Sequence, residues 1–118
     1  MRHTEKDQQV LAELPDILTS WFTEHEERLQ SCGITGDIQQ SPADGRTKTS
    51  AWMMLERDDH IGALIVWSSG EAELEYGDVV SGQLQQRHLD LHTFPDLLDV
   101  IESLLEWFRT KGGQSPGA

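Results

Sequence analysis

The stretch IGALIVWSSGEAELEYGDVVSGQLQQRHLDL, Ile61 to Leu91, decides the fold. Its three runs of strand-forming residues are separated by Ser-Gly pairs, the pattern of antiparallel strands joined by hairpin turns. With Ser69-Gly70 as a two-residue loop, Trp67 faces Ala72, Ile65 faces Leu74 and Ala63 faces Tyr76. With Ser81-Gly82 as the second loop, Leu74 faces Leu89, Ala72 faces Leu91 and Tyr76 faces Arg87. Opposed residues share a face of a sheet, so both turns gather Ala63, Ile65, Trp67, Ala72, Leu74, Tyr76, Leu89 and Leu91 on one apolar side. The other side then carries Glu71, Glu73 and Glu75 on the middle strand and His88, Asp90 and His92 on the next, with Leu64 and Val66 beside them. One side of this meander is a core face. The other is either solvated surface or an acidic recognition face.

Upstream of the meander, Thr47 to Glu56 alternates Thr49, Ala51, Met53 and Leu55 with Ser50, Trp52, Met54 and Glu56, a strand apolar on both sides. The turn Arg57-Asp58-Asp59-His60 is ambiguous in length, so the face taken by Trp52 stays open at this point. Ile34 to Gln40 is a weaker strand, followed by the turn-rich Ser41-Pro42-Ala43-Asp44-Gly45. From Pro15 to Gln30, Ile17, Leu18, Trp21, Phe22 and Leu29 recur at helical spacing, and Cys32-Gly33 reads as the stop. Pro15 marks a boundary or a kink. His25 lies in the stripe, as a hydrogen-bonded packing residue rather than a ligand.

After Leu91 the period changes to 3.6. Thr93 is the expected N-cap, with Pro95 in the first turn and Asp96 as its capping-box partner. Leu97, Leu98, Val100, Ile101, Leu104, Leu105, Trp107 and Phe108 form a broad stripe, and Lys111-Gly112-Gly113 ends it. The expectation is an α+β fold in one domain, residues 1–118, with loosely ordered ends at 1–13 and 112–118. An antiparallel meander of four to five strands carries an N-terminal and a C-terminal helix packed on one face.

Twenty-one acidic residues against nine basic ones give the chain a net charge of -12. That charge repels polyphosphate and anionic lipid, which argues against nucleic-acid and membrane partners, and it suits steered capture of a basic one. One cysteine, Cys32, excludes an internal disulfide and a Cys-based zinc cage. No apolar run approaches the ~20 residues needed to span a bilayer, and there is no secretory signal, so a cytoplasmic location is expected.

His88, Asp90 and His92, with Glu73 opposite Asp90 in the register above, are metal-ligating residue types. Their i, i+2, i+4 spacing is common to any strand, and a polar solvent face is the plainer reading. No metal and no cofactor is expected. Glu73 and Glu75 could serve acid–base chemistry only if one were desolvated, and nothing in the sequence encloses them. Neither a phosphate loop nor a nucleophile elbow is present. The chain therefore reads as a binder rather than an enzyme.

The helix carrying Trp21 and Phe22, the hairpin VWSSGEAELEYGDVVSGQ and the segment DLHTFPDLLDVIESLLEWF together resemble small immunity proteins of bacterial polymorphic toxin systems, within them the TriTu-like group. That resemblance covers roughly Trp21 to Phe108. It implies a cytoplasmic, non-catalytic antidote to a Rhs or type VI secreted ADP-ribosyltransferase toxin that modifies elongation factor Tu. The expected partner is the toxin's catalytic domain, its cleft covered in a one-to-one complex with a monomeric antidote. The candidate partner-binding residues come from the sheet argument: Glu71, Glu73, Glu75, His88 and Asp90 on the open face, facing a basic surface, and Trp52 as an aromatic anchor. The alternative is a small acidic secretion chaperone, dimeric, holding an extended effector segment.

Overall fold

The computed structural model describes the backbone of residues 3–41 and 48–112 and the side chains of 13–41 and 48–110. The order is helix α1 (His3–Ser31), strands β1 (Thr35–Gln40), β2 (Ser50–Arg57), β3 (His60–Trp67), β4 (Glu71–Asp78) and β5 (Gln83–Asp90), and helix α2 (Phe94–Trp107), closed by a π-helical turn, Phe108–Gly112. The five strands form one antiparallel sheet in sequential order. The expected turn at Pro42-Ala43-Asp44-Gly45, the strand start at Thr47, and the chain from Gly113 onward lie outside the described residues.

The α1 stripe buries Leu14, Leu18, Phe22 and Leu29. Pro15 lies inside this 29-residue helix instead of dividing it. Its missing N–H removes one helical bond, a local loss beside the burial the stripe achieves on both sides of it. The helix stops where Gly33 takes a φ of 82°. There Ile34 N–H donates to the Leu29 carbonyl at 2.9 Å and Gly33 N–H to that of Gln30 at 3.0 Å, the paired bonds of a Schellman motif. At α2 the Thr93 side chain accepts from Asp96 N–H while the Asp96 carboxylate accepts from Thr93 N–H, the expected capping box.

The register differs from expectation at both turns. Between β3 and β4 the loop has three residues, Ser68-Ser69-Gly70, with Gly70 N–H donating to the Trp67 carbonyl at 2.9 Å. Gly70 takes a φ of 94° as the last loop residue, the geometry of a three-residue hairpin loop. Val66 therefore opposes Ala72 and Leu64 opposes Leu74. One residue of slip reverses a strand's faces, so Leu64 and Val66 are sealed in the core while Ala63, Ile65 and Trp67 turn to the open face.

Between β4 and β5 the loop is Val79 to Gly82, held by the Asp78 carboxylate, which accepts from Val80 N–H at 2.8 Å and Ser81 N–H at 3.3 Å. The pairing moves by two residues, which keeps the faces. Ala72 opposes Leu89, Leu74 opposes Arg87, Tyr76 opposes Gln85, and Glu73 opposes His88 in place of Asp90.

Both helices lie on the Leu64 side of the sheet. Gly36 on β1 and Gly62 on β3 let them approach: a Cβ at Gly36 would come within 2.7 Å of Phe22, and one at Gly62 within 2.7 Å of Leu104 and 3.1 Å of Phe108. The core is one cluster joining the α1 stripe, Ala51, Met53, Leu55, Leu64, Val66, Ala72 and Leu74 from the sheet, and Leu97, Ile101, Leu104 and Phe108. Trp107 borders it, edge-on to Tyr76, His60 and Phe108.

Candidate functional site

The side of the sheet away from the helices is built from rows that cross the strands. One row runs Gln39, Trp52, Ile65, Glu73, His88 across all five strands, and the next runs Asp37, Met54, Ala63, Glu75, Gln86. At the Gly70 end, Glu71 opposes Asp90, with Trp67 across the hairpin from Glu71. All six residues singled out in the sequence, Trp52, Glu71, Glu73, Glu75, His88 and Asp90, thus stand on one face. Trp52 is placed there by the two-residue turn Asp58-Asp59, which sets Arg57 opposite His60 and Trp52 opposite Ile65. Asp58 makes that turn possible by taking a φ of 55°.

The face has two halves. Over β2 and β3 it is apolar, with Trp52 39% and Met54 43% exposed beside half-buried Ile61, Ala63, Ile65 and Trp67. Over β4 and β5 it is acidic. The sequence reading put Leu64 and Val66 in this half in place of Ala63, Ile65 and Trp67, because Ile61 to Trp67 is apolar at every position but Gly62 and only the loop length decides which residues face out.

The acidic residues differ in how they are satisfied. Glu71 accepts from Lys48 Nζ at 2.9 Å and from Ser69 Oγ at 3.1 Å. The Lys48 hydrogen bond, and then that of Ser69, holds its carboxyl below the usual glutamate range. Lys48 also stands 5.5 Å from the Trp67 ring centre, a cation–π distance. His88 Nε2 lies 3.8 Å from Asp90 Oδ1. Among the described residues, Glu73 and Glu75 have no cationic partner.

His92 leaves the constellation, since it lies beyond β5 and its N–H donates to Asp96 Oδ2 at 2.9 Å. No three His, Cys, Asp or Glu side chains among the described residues come close enough to hold a metal ion.

A cavity of ≈ 310 Å³ on the helix side is lined by Arg28, Arg57 and Arg109 with Trp21, His25, Cys32 and Glu102. Arg28 and Arg109 sit where α1 and α2 end, positions that helix carbonyls favour for cations whether or not a ligand is present. Arg109 is also bound to Glu106 at 2.7 Å. His25 donates from Nδ1 to the Trp21 carbonyl at 2.7 Å and stacks on the Trp21 ring at 4.4 Å, the packing role expected of it.

The fold and this face define a two-layer α+β protein with one sheet face sealed by helices and the other open. The family model described as Immunity protein TriTu matches residues 16–107, which covers α1 from Asp16 to the last residue of α2. The chain belongs to the TriTu immunity protein family, and its role is that of an immunity protein. No curated protein matches it. Among the described residues no helix is long and apolar enough to cross a membrane.

Proposed function

We propose that this chain neutralises a cognate secreted antibacterial toxin by docking the open sheet face onto the toxin's catalytic domain and covering its catalytic cleft. One observation carries the reading. β2 and β3 are apolar on both sides, yet both helices lie on one side, leaving Trp52 and Met54 exposed next to carboxylates that have no cationic partner among the described residues. An apolar centre with a charged rim is the composition of a protein interface. The five strands at ~4.8 Å spacing, with up to eight residues at ~3.3 Å, present a flat patch of about 24 by 26 Å, comparable to one side of a standard interface. The net charge of -12 adds steering toward a basic toxin surface.

The antidote acts by binding, without catalysis or a cofactor, as a cytoplasmic single-domain monomer in a one-to-one complex. Its partner is a Rhs or type VI delivered ADP-ribosyltransferase toxin. The test is growth of bacteria expressing the toxin encoded beside this gene, with and without the chain. Rescue by co-expression together with a purified one-to-one complex is the expected result. Unrelieved toxicity would overturn the reading, and a dimer bound to a harmless effector would replace it with the chaperone one.

A further inference from the structure

We infer that the groove over β3 on the open face is a socket for one arginine side chain of the protein partner. This deepens the docking reading above and names the chemistry that the face recognises.

The floor of the groove is Ala63, the smallest side chain in the row Met54, Ala63, Glu75, with Ile61 and Ile65 on either side of it along β3. Trp52 and Met54 make one wall, and Glu73, Glu75 and Gln86 make the other. Its volume is ≈ 140 Å³. A cavity of about 150 Å³ accepts a benzene molecule, so the groove is sized for one planar group on a stem rather than for a helix or a strand.

Charge selects the group. Elsewhere on the described surface, Glu71 is bound by Lys48, Asp90 lies near His88, Asp78 near His60, and Glu106 is bound by Arg109. Other described carboxylates also lack a cation, but among the described residues Glu73 and Glu75 are the half-buried pair that flanks this apolar trough without one. They are two residues apart on one strand, about 6.6 Å along it, and repel one another in the free protein.

A single guanidinium set between them relieves that repulsion. Its five N–H donors lie in one plane and can serve two carboxylates together, whereas an ammonium is a point charge. The apolar stem of the same side chain covers Ala63 and Ile65, beside the exposed Trp52 that walls the groove.

The first test needs no toxin. The full chain is titrated with N-acetyl-arginine amide and followed by two-dimensional NMR, with N-acetyl-lysine amide and N-acetyl-norleucine amide in parallel. Arginine amide should give saturable shifts at the Trp52 indole N–H and the Ala63 and Ile65 amides. Lysine amide should bind more weakly, and norleucine amide should leave these signals unmoved. Ala63→Leu, which fills the notch without touching charge, and Glu73→Gln with Glu75→Gln, which removes charge without changing shape, should each abolish saturation while the melting temperature holds. Shifts that never saturate, shifts centred on Glu71 and Asp90, equal binding of lysine and arginine, or binding that survives Ala63→Leu would each overturn the socket.

The second test uses the toxin. Ala63→Leu should weaken the complex about tenfold, a typical loss for one buried anchor. Loss of arginine-amide binding with toxin affinity unchanged would leave the socket standing and overturn its place in toxin docking.

Discussion

Leu64 and Ile65 are neighbours on β3 and nearly equal in apolar content, yet they live in different molecules. Leu64 is sealed beneath the helices at 0% exposure, while Ile65 stands half-buried in the row between Trp52 and Glu73. The same division runs along β2, where Ala51, Met53 and Leu55 are buried and Trp52, Met54 and Glu56 are exposed. An antiparallel sheet with a single cover ordinarily alternates apolar and polar residues. Here both sides of β2 and β3 are apolar, and the helices satisfy only one of them. The inner side is what folding needs, and the outer side is the surface that the docking proposal assigns to a partner.

The comparison breaks most easily at the pair itself. Leu64→Ala should destabilise the fold by about 2–5 kcal/mol, the loss for a fully buried leucine whose neighbours cannot collapse into the space. Ile65→Ala should cost under about 1 kcal/mol, because its surroundings are already open to water. Urea unfolding of both variants measures this, and equal losses would show that the two faces are not distinct. In toxin binding the order should reverse.

Trp52→Ala carries the reversal furthest. A central aromatic anchor loses about 2 kcal/mol or more on truncation, roughly thirtyfold in affinity, while the urea midpoint should barely move. Calorimetric titration with the toxin checks the affinity. Charge reversal of Glu73 and Glu75 to Lys should act on both rates, slowing association by about tenfold at low salt and less as salt screens it, and speeding dissociation because the socket loses the carboxylates that hold its guanidinium. A changed dissociation rate with an untouched association rate would place those carboxylates outside the steering surface.

The sequence made some of this legible and concealed the rest for physical reasons. Helix ends were readable because Gly33, Thr93 and Asp96 act through bonds to backbone groups a few residues away. The acidic side of β4 was readable because Glu71, Glu73 and Glu75 alternate with Ala72, Leu74 and Tyr76, and a shift of two residues at the Val79–Gly82 loop preserves that parity. The faces of β3 were not readable, since a run apolar at almost every position satisfies either register. What settled them was the αL glycine at the end of Ser68-Ser69-Gly70, which makes the loop three residues long. The side of Trp52 likewise rested on a two-residue turn whose length Arg57-Asp58-Asp59-His60 does not announce. The groove over Ala63 needed both turns.

Smaller effects sharpen the contrast between a charge that serves the fold and one that sits on the open face. Thr93→Ala removes the N-cap of α2 and should cost about 1 kcal/mol in urea unfolding with no change in toxin affinity. Asp96 completes that cap. The backbone N–H of His92, opposed in part by burial and joined by the Thr93 backbone and side chain, holds its carboxyl below the usual aspartate range. Because the folded pKa lies below the unfolded one, this contribution is present above the ordinary aspartate value and is lost as pH falls through the lowered one.

Glu71 follows the same sign, but its first cause is an exposed lysine, so added salt should remove much of its share while leaving that of Asp96. The measurement is the urea midpoint of the parent, Asp96→Asn and Glu71→Gln at neutral and acid pH, in low and high salt. The gap between parent and Asp96→Asn should close on acidification and persist in salt. The gap for Glu71→Gln should close under either condition. A gap for Asp96→Asn that stays constant with pH would mean that Asn serves the cap as poorly at every protonation state, and that the carboxylate's ionisation is not what His92 and Thr93 hold in place.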